Sequence, residues 1–440
     1  GELGQVCGDF DVVDLEAWPD LGGLAGKAPY AEITTEVLTP FVGDALPAEA
    51  VQSAAQEAAA AFSDPYVTPL RELGPNLWLL ELFHGPTLAF KDCAMQILAP
   101  LTRDALKACG ERLLLLTATS GDTGAAAVGA FAGAERVDLV VLHPKGRVSP
   151  AQRRQMTTSG KDNVLNLAVE GDFDDCQRIL KALTIDAELS AARRVSTVNS
   201  INWCRLAGQI PYYVRSVGVL GPNVRFVVPT GNLGDGFAGW AAKASGVPMS
   251  GLVAAVNAND ALARALNEGR YERRSATPTA SVAMDVQAPS NFERLFFEAS
   301  GRDPDATRAF FETFASEGAV DVPPGVLERM REGFSASSIS EAETAEEIAR
   351  TDRETGRVVC PHTAVALAAA RRLPPHDGPT VVLATAHPAK FPESVEAAIG
   401  RKIEIPDALS RLADLPERLT TVTPEVDAAR AAILDAFAVA

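Results

Sequence analysis

From Leu113 onward the chain repeats one pattern. A short, continuous apolar run is followed by a polar or glycine-rich turn and then a helix-forming stretch. The runs are Leu113–Leu116, Val137–Leu142, Val164–Val169, Val224–Val228, Leu252–Val256 and Val381–Ala384. Apolar runs without alternation suit strands covered on both faces, and strands alternating with helices indicate buried, mostly parallel sheets. The predicted class is therefore α/β, with ligand sites where strands end and helices begin. A chain of 440 residues is about three times a typical ~150-residue domain, so two or three domains are expected.

Hydrophobic residues make up 47% and charged residues 22%, an ordinary balance for a globular protein that excludes a disordered chain, a collagen-like fibre or a small disulfide scaffold. The net charge is −17, from 40 basic and 57 acidic residues. Such a body repels phosphate backbones and anionic lipid, so neither nucleic acid nor a membrane is expected as partner. An anionic ligand must be held by local groups. The six cysteines are scattered without a C-x-x-C pair or a zinc-like cluster, which suits a reducing cytoplasm and predicts no metal. No apolar run approaches the ~20 residues of a membrane span, and Gly1–Phe10 lacks the pattern of a signal peptide. The first residue is not Met, so the sequence reads as a fragment or a processed chain. Residues 1–78 read as short helical pieces, including Ala48–Ala61. Residues 301–355 read as solvent-facing helices, and 401–440 as a helical tail with a strong helix former at Ala428–Ala438.

Five segments could carry chemistry. In Leu80–Leu101, Gly85-Pro86 breaks the chain and Thr87 is the expected N-cap. Lys91 then lies in the first helical turn beside the apolar stripe Phe90, Ala94, Ile97, Leu98 and Leu101. Burial and the positive helix N-terminus both lower an ammonium pKa, which makes a neutral amine for Schiff-base chemistry. The plainer reading is a solvent-seeking lysine or a pair with Asp92. In Thr117–Gly124 (TATSGDTG), small residues at a helix start could form an anion nest with Asp122 pointing into it, or simply a well-capped turn. Pro229–Gly239 (PTGNLGDGFAG) follows another strand, and its spacing matches neither a dinucleotide fingerprint nor a Walker loop. A phosphate cradle remains. In Asn199–Arg205 (NSINWCR), Asn199, Asn202 and Arg205 can turn to one side, with Arg205 suited to phosphate. In Leu383–Pro392 (LATAHPAKFP), Thr385 and His387 stand at a strand's C-terminal end. Two phosphate-suited loops and an activated lysine, without a nicotinamide or ATP motif, suggest pyridoxal 5'-phosphate.

These segments also carry a family resemblance. ELFHGPTLAFKD (81–92), TATSGDTGAAA (117–127), PKGRVSPAQRRQMTT (144–158), EGDFDDCQ (170–177), NSINWCR (199–205), PTGNLGDGFAG (229–239), SNFERLFFE (290–298) and ATAHPAKFP (384–392) stand in the order of the longer, bacterial and fungal form of threonine synthase. The chain resembles that family over about residues 80–392. The resemblance implies a fold type II pyridoxal-phosphate enzyme, similar to the tryptophan synthase β chain, with two α/β domains and the cofactor between them. Its expected divisions are an N-terminal region at 1–78, domains at 79–215 and 216–400, and a tail at 401–440.

The resemblance implies the following roles. Lys91 binds the cofactor covalently and shuttles protons. Gly231, Asn232, Leu233, Gly234 and Asp235 hold the cofactor phosphate, largely through backbone N–H groups. Asp122 faces the phenolic oxygen, where relatives often carry Asn, and Thr385 bonds the pyridine nitrogen. Thr119, Ser120 and Thr123 contact the substrate carboxylate and phosphate, and Asn199 and Arg205 its phosphate. The implied activity is that of a carbon–oxygen lyase: O-phospho-L-homoserine plus water gives L-threonine plus phosphate, the last step of threonine biosynthesis. The implied protein is a cytoplasmic monomer or homodimer. A phospholyase releasing 2-oxobutyrate and a non-catalytic relative are the competing readings. The family usually opens with a Ser-Thr-Arg-Gly and an Asp-Gly-Gly-Leu segment before the Trp-Pro matched by Trp18-Pro19. Residues 1–17 show neither.

Overall fold

A computed structural model describes residues 18–24 and 27–437, so the departure at 1–17 lies outside the described residues. Thirteen strands are described: β1 (Leu70–Gly74), β2 (Leu77–Glu81), β3 (Leu113–Ala118), β4 (Val137–Pro144), β5 (Val164–Val169), β6 (Arg194–Thr197), β7 (Val224–Pro229), β8 (Met249–Val256), β9 (Arg270–Glu272), β10 (Ala319–Asp321), β11 (Phe334–Ser338), β12 (Thr380–Ala384) and β13 (Thr420–Val422). The helices that matter for the site are α1 (Tyr30–Val42), α2 (Ala48–Ala60), α3 (Lys91–Cys109), α4 (Asp122–Phe131), α5 (Pro150–Thr157), α6 (Trp203–Ala207), α7 (Gly234–Ala244), α8 (Pro361–Arg372) and α9 (Val426–Ala436).

Two sheets organise the chain. The first, in the order β13-β5-β4-β3-β6, is parallel throughout. The second runs β1-β2-β12-β7-β8-β11, parallel except for the β1–β2 hairpin. All six apolar runs are strands, and their lack of alternation has a direct cause. Leu113 and Leu115 enter one apolar cluster with Phe131 and Met156, while Leu114 and Leu116 enter another with Ile179 and Ile433. In β12, Val381 and Leu383 face Phe226 and Tyr213, whereas Val382 and Ala384 face Val227 and Leu367. Burying each such side chain stabilises the fold by about 1.5–3 kcal/mol.

Three expectations change. Residues 70–81 form a hairpin rather than helical pieces, and β2 pairs with β12 across the expected division at 78/79. The tail is not purely helical, because β13 adds to the edge of β5 before α9 packs over it. The region 301–355 includes β11, which pairs with β8 at the sheet edge. Helices α1 and α2 sink Ile33, Val37, Val51 and Ala54 into the cluster that holds Ile97 and Leu101 of α3, which anchors the helix carrying Lys91.

Strand order reverses at β3, flanked by β4 and β6, and at β7, flanked by β8 and β12. Loops leaving the C-terminal ends of such strands open onto a crevice. Those loops are Thr119–Gly121 and Thr230–Leu233. The segment after β12 is tied to the approach to α3. Phe90 N–H donates to Thr385 O at 2.8 Å, His387 N–H to Leu88 O at 3.0 Å, and Ala89 bridges Ala386.

Candidate active site

Lys91 is the first residue of α3. Thr87 does not cap this helix, since Phe90 precedes it without a side-chain cap. Thr87 instead donates its N–H and hydroxyl to Asp92, at 2.8 and 2.6 Å. A Cβ on Gly85 would stand 2.5 Å from Asp92 Cβ, so glycine is needed for this close approach. Asp92 is thus taken up by Thr87 and does not serve as the partner of Lys91. Lys91 is 9% exposed. Burial lowers its pKa; Asp122 opposes that shift, Arg205 and Lys390 add to it, and Asp235 opposes it. A lysine in this setting can present a neutral amine.

Asp122 opens α4, but its carboxylate leaves the expected nest. Oδ1 accepts from Lys390 Nζ at 2.7 Å and from Gln152 Nε2 at 2.9 Å, and Oδ2 lies 3.6 Å from Lys91 Nζ. Burial pushes its pKa up, but Lys390 and Lys91 outweigh burial and hold the group well below the usual carboxylate range. The nest itself is partly filled from within, because Thr119 Oγ1 accepts from Gly121 N–H and Gly124 N–H, each at 2.9 Å. Ser120 and Thr123 are half-buried beside it.

The second loop is built differently. Leu233, at φ 60°, holds the left-handed turn that starts α7. A Cβ on Gly231 would meet Ala283 O at 2.5 Å. Asn232 O accepts from the N–H of Asn291 at 3.1 Å and from its Nδ2 at 3.1 Å, while Asn232 Oδ1 accepts from Ser290 N–H at 3.3 Å. A Cβ on Gly234 would find only ordinary contacts, at 3.6 Å from Leu206 and 3.7 Å from Ser200, so this turn faces the NSINWCR segment. The Asp235 carboxylate folds back onto Thr230 Oγ1 (2.8 Å) and Gly236 N–H (2.9 Å). Burial raises its pKa to about 6.

Arg205, on α6, is 3% exposed. Its NH1 donates to Val198 O at 2.8 Å, and its buried Nε has no hydrogen-bond partner among the described residues. Burial alone lowers its pKa to about 10, with no carboxylate opposing the shift. Asn199 Oδ1 accepts from Thr117 Oγ1 at 3.3 Å, and Asn202 caps α6 at Arg205 N–H. Thr385 is buried at the end of β12, next to Phe90. His387 caps the short turn Pro388–Lys390 through Ala389 N–H, and burial lowers its pKa to about 4.

Asp122, Arg205 and Asp235 are all brought within electrostatic reach of Lys91, with Thr385 bonded to the neighbouring Phe90. Sequence reasoning missed Lys390, Gln152, Asn291 and His362. Lys390 is fully buried and also donates to Thr87 O at 2.7 Å. His362 Nε2 accepts from Ala283 N–H at 3.3 Å, and burial lowers its pKa to about 4. Lys390, Gln152 and Asn291 lie inside quoted segments, at 384–392, 144–158 and 290–298, but no role was expected of them there. These residues fit a phosphate-bearing aldehyde. Arg205 offers an unfilled buried N–H donor, and Lys91 supplies the amine.

Comparison with known proteins agrees with this geometry. A family described as "Pyridoxal-phosphate dependent enzyme" matches residues 62–386, and one described as "Threonine synthase, C-terminal" matches 363–433. The threonine synthase of Pseudomonas aeruginosa is 41% identical over 422 residues, covering 95% of this chain and 88% of that one. That of Corynebacterium glutamicum is 35% identical over 442 residues, covering 98% and 91%. Among solved structures, the pyridoxal-phosphate-bound threonine synthase of Brucella melitensis superposes with a TM-score of 0.91 at 42% identity, covering 96% of this chain and 93% of that one. The chain belongs to the threonine synthase family of pyridoxal-phosphate-dependent enzymes.

Proposed function

We propose that the chain converts O-phospho-L-homoserine and water to L-threonine and phosphate, with pyridoxal phosphate held at Lys91. Across the reaction, Cα loses and regains a proton. Cβ exchanges a hydrogen for hydroxyl, and Cγ exchanges phosphate for hydrogen. Bound pyridoxal phosphate supplies the electron sink that makes the Cα proton removable. The residues of the chain supply the rest. Lys91 Nζ, buried and shifted toward the neutral amine, takes the Cα proton and then a Cβ proton, and returns protons as an ammonium. Gly231, Asn232, Leu233, Gly234 and Asp235 present the helix start of α7 to the cofactor phosphate. Asp122 would hold the cofactor at its phenolic oxygen, and the Thr385 hydroxyl would hold it at its ring nitrogen. Arg205 and Asn199 bind the substrate phosphate, while Thr119, Ser120 and Thr123 orient the substrate's anionic groups. The two-domain reading is supported by the pair of apolar clusters that each sheet buries for itself.

The single observation that carries the proposal is the buried lysine of lowered pKa, set against Asp122 and within reach of an arginine that has no carboxylate partner. A small-molecule substrate fits this site. No helix among the described residues is long and apolar enough to cross a membrane. Cytoplasmic placement is supported by the lack of disulfides among the described cysteines, and we take the chain as a monomer or homodimer.

The test is a product assay on the chain loaded with pyridoxal phosphate and fed O-phospho-L-homoserine, measuring phosphate, threonine and 2-oxobutyrate together. Threonine and phosphate form one for one, and the Lys91→Ala variant makes neither. 2-Oxobutyrate in place of threonine would make the chain a phospholyase. No phosphate from a loaded chain would make it a non-catalytic relative.

A further inference from the structure

Lys390 stands out among groups to which the family reading gives no task. It is fully buried, 303 positions from the residue whose carbonyl it touches. A lysine is a poor choice for filling space, since desolvating an ammonium is costly unless it is paired. Lys390 is paired twice, to Asp122 Oδ1 at 2.7 Å and to Thr87 O at 2.7 Å. Gln152 Nε2 occupies the same Oδ1 at 2.9 Å. The two carboxylate oxygens are therefore unequal: Oδ1 is held by two donors, whereas Oδ2 is turned to Lys91 Nζ at 3.6 Å.

We propose that Lys390 is a positioning residue for Lys91: it fills Asp122 Oδ1, fixes the carboxylate so that Oδ2 faces Lys91, and balances its negative charge. The proposal rests on the reading of Lys91 as the cofactor lysine. Its logic is charge balance in a dry site. Alone, Asp122 would hold Lys91 as an ammonium. With Lys390 beside Asp122, the pair is close to neutral as seen from Lys91, and burial is free to favour the amine. The other charged or titratable groups that act on this cluster include Arg205 on α6, Asp235 on α7 and His362 on α8, together with Asp92 on α3 and His387, both of which Lys390 acts on. Arg205 adds to the deprotonating field, while Asp235 opposes it. Lys390 is well placed to keep the geometry, because its own turn is tied to the approach to Lys91 through Thr385, Ala386 and His387.

The test uses the full chain freed of cofactor. Only a neutral Lys91 amine adds to the aldehyde of pyridoxal phosphate, forming the C=N bond with loss of water. The capture rate, read as the change in visible absorbance against pH, therefore has a midpoint set by Lys91. Three variants move it in a pattern that a merely structural role does not produce. Lys390→Met, which leaves Asp122 unbalanced, raises the midpoint by about one pH unit or more. Asp122→Asn, which leaves Lys390 unbalanced, lowers it by a similar amount. The double variant, with both charges gone and no buried ion left alone, returns it to within a few tenths of a unit of wild type. Should Lys390→Met fail to fold, Asp122→Asn and the double variant still decide, since the opposite shift and its reversal are both required. Midpoints that do not move, or that move the same way in both single variants, overturn the proposal. A wild-type chain that captures no pyridoxal phosphate overturns the reading of Lys91, and the proposal with it.

Discussion

The two strand-to-helix loops, Thr117–Gly124 and Pro229–Gly236, are close in composition and in place, yet they do opposite work. In the first, the backbone is served from within: the Thr119 hydroxyl takes two N–H groups, and the loop projects a charged side chain, Asp122, onto two lysines. In the second, the side chains turn away. Asp235 folds back on Thr230 and Gly236, and Asn232 is tied to Ser290 and Asn291. What remains is backbone at a helix start. On the proposed reading, a Gly-rich loop suits a phosphate less by its glycines than by whether its own hydroxyls have already claimed its amides.

The sharpest way to break this comparison is by pH, because the two aspartates are shifted in opposite directions. Asp122 is held below the ordinary carboxylate range, so its ionised form stabilises the fold above about pH 4, and that stability is lost as the pH falls. Asp122→Asn strands two buried lysines, costs about 3–5 kcal/mol at neutral pH and flattens the acid limb of a urea-unfolding series. Asp235 is raised from 3.8 to about 6, so the folded state binds its proton more tightly. Stability falls as pH rises through that window, by up to about 3 kcal/mol. Asp235→Asn erases this decline. Equal slopes in the two variants would end the distinction between the loops.

A smaller effect tests the backbone role. Gly231→Ala drives a Cβ toward Ala283 O, a backbone atom that cannot swing aside. Pyridoxal phosphate should bind about 10- to 100-fold more weakly, as read by fluorescence titration, with modest change in melting temperature. Unchanged affinity would remove that loop from the cofactor. The smallest effect belongs to the first loop: Thr119→Val removes a cap from two N–H groups and costs about 1 kcal/mol in thermal unfolding.

Much of this was legible in the sequence, for physical reasons that also mark its limits. The six apolar runs were readable because strands covered on both faces carry at most one polar residue each, such as Asp138, Asn166 and Arg225. Strands β6 (RVST), β11 (FSASS) and β13 (TTV) were not readable, being short and polar, with all three at sheet edges. Lys91 and the glycine-rich loop Pro229–Gly239 were picked out by local pattern. Lys390 and Gln152 were not, because nothing in their neighbourhoods says that the chain will carry them to Asp122. The hairpin β1–β2 was hidden inside a region of helical composition, and only its partner β12 explains why it forms.

That last pairing has a consequence for how the molecule comes to exist. Leu77 of β2 lies against Thr380 of β12, and Thr420 of β13 against Leu167 of β5. During synthesis, β2 emerges early and must wait for β12, and β5 must wait for β13. Each waits with a bare edge, open to pairing with other chains. Contacts so distant in sequence slow folding and lengthen that exposure. The nascent chain is thus vulnerable at two known edges until translation has passed Ala384 and then Val422.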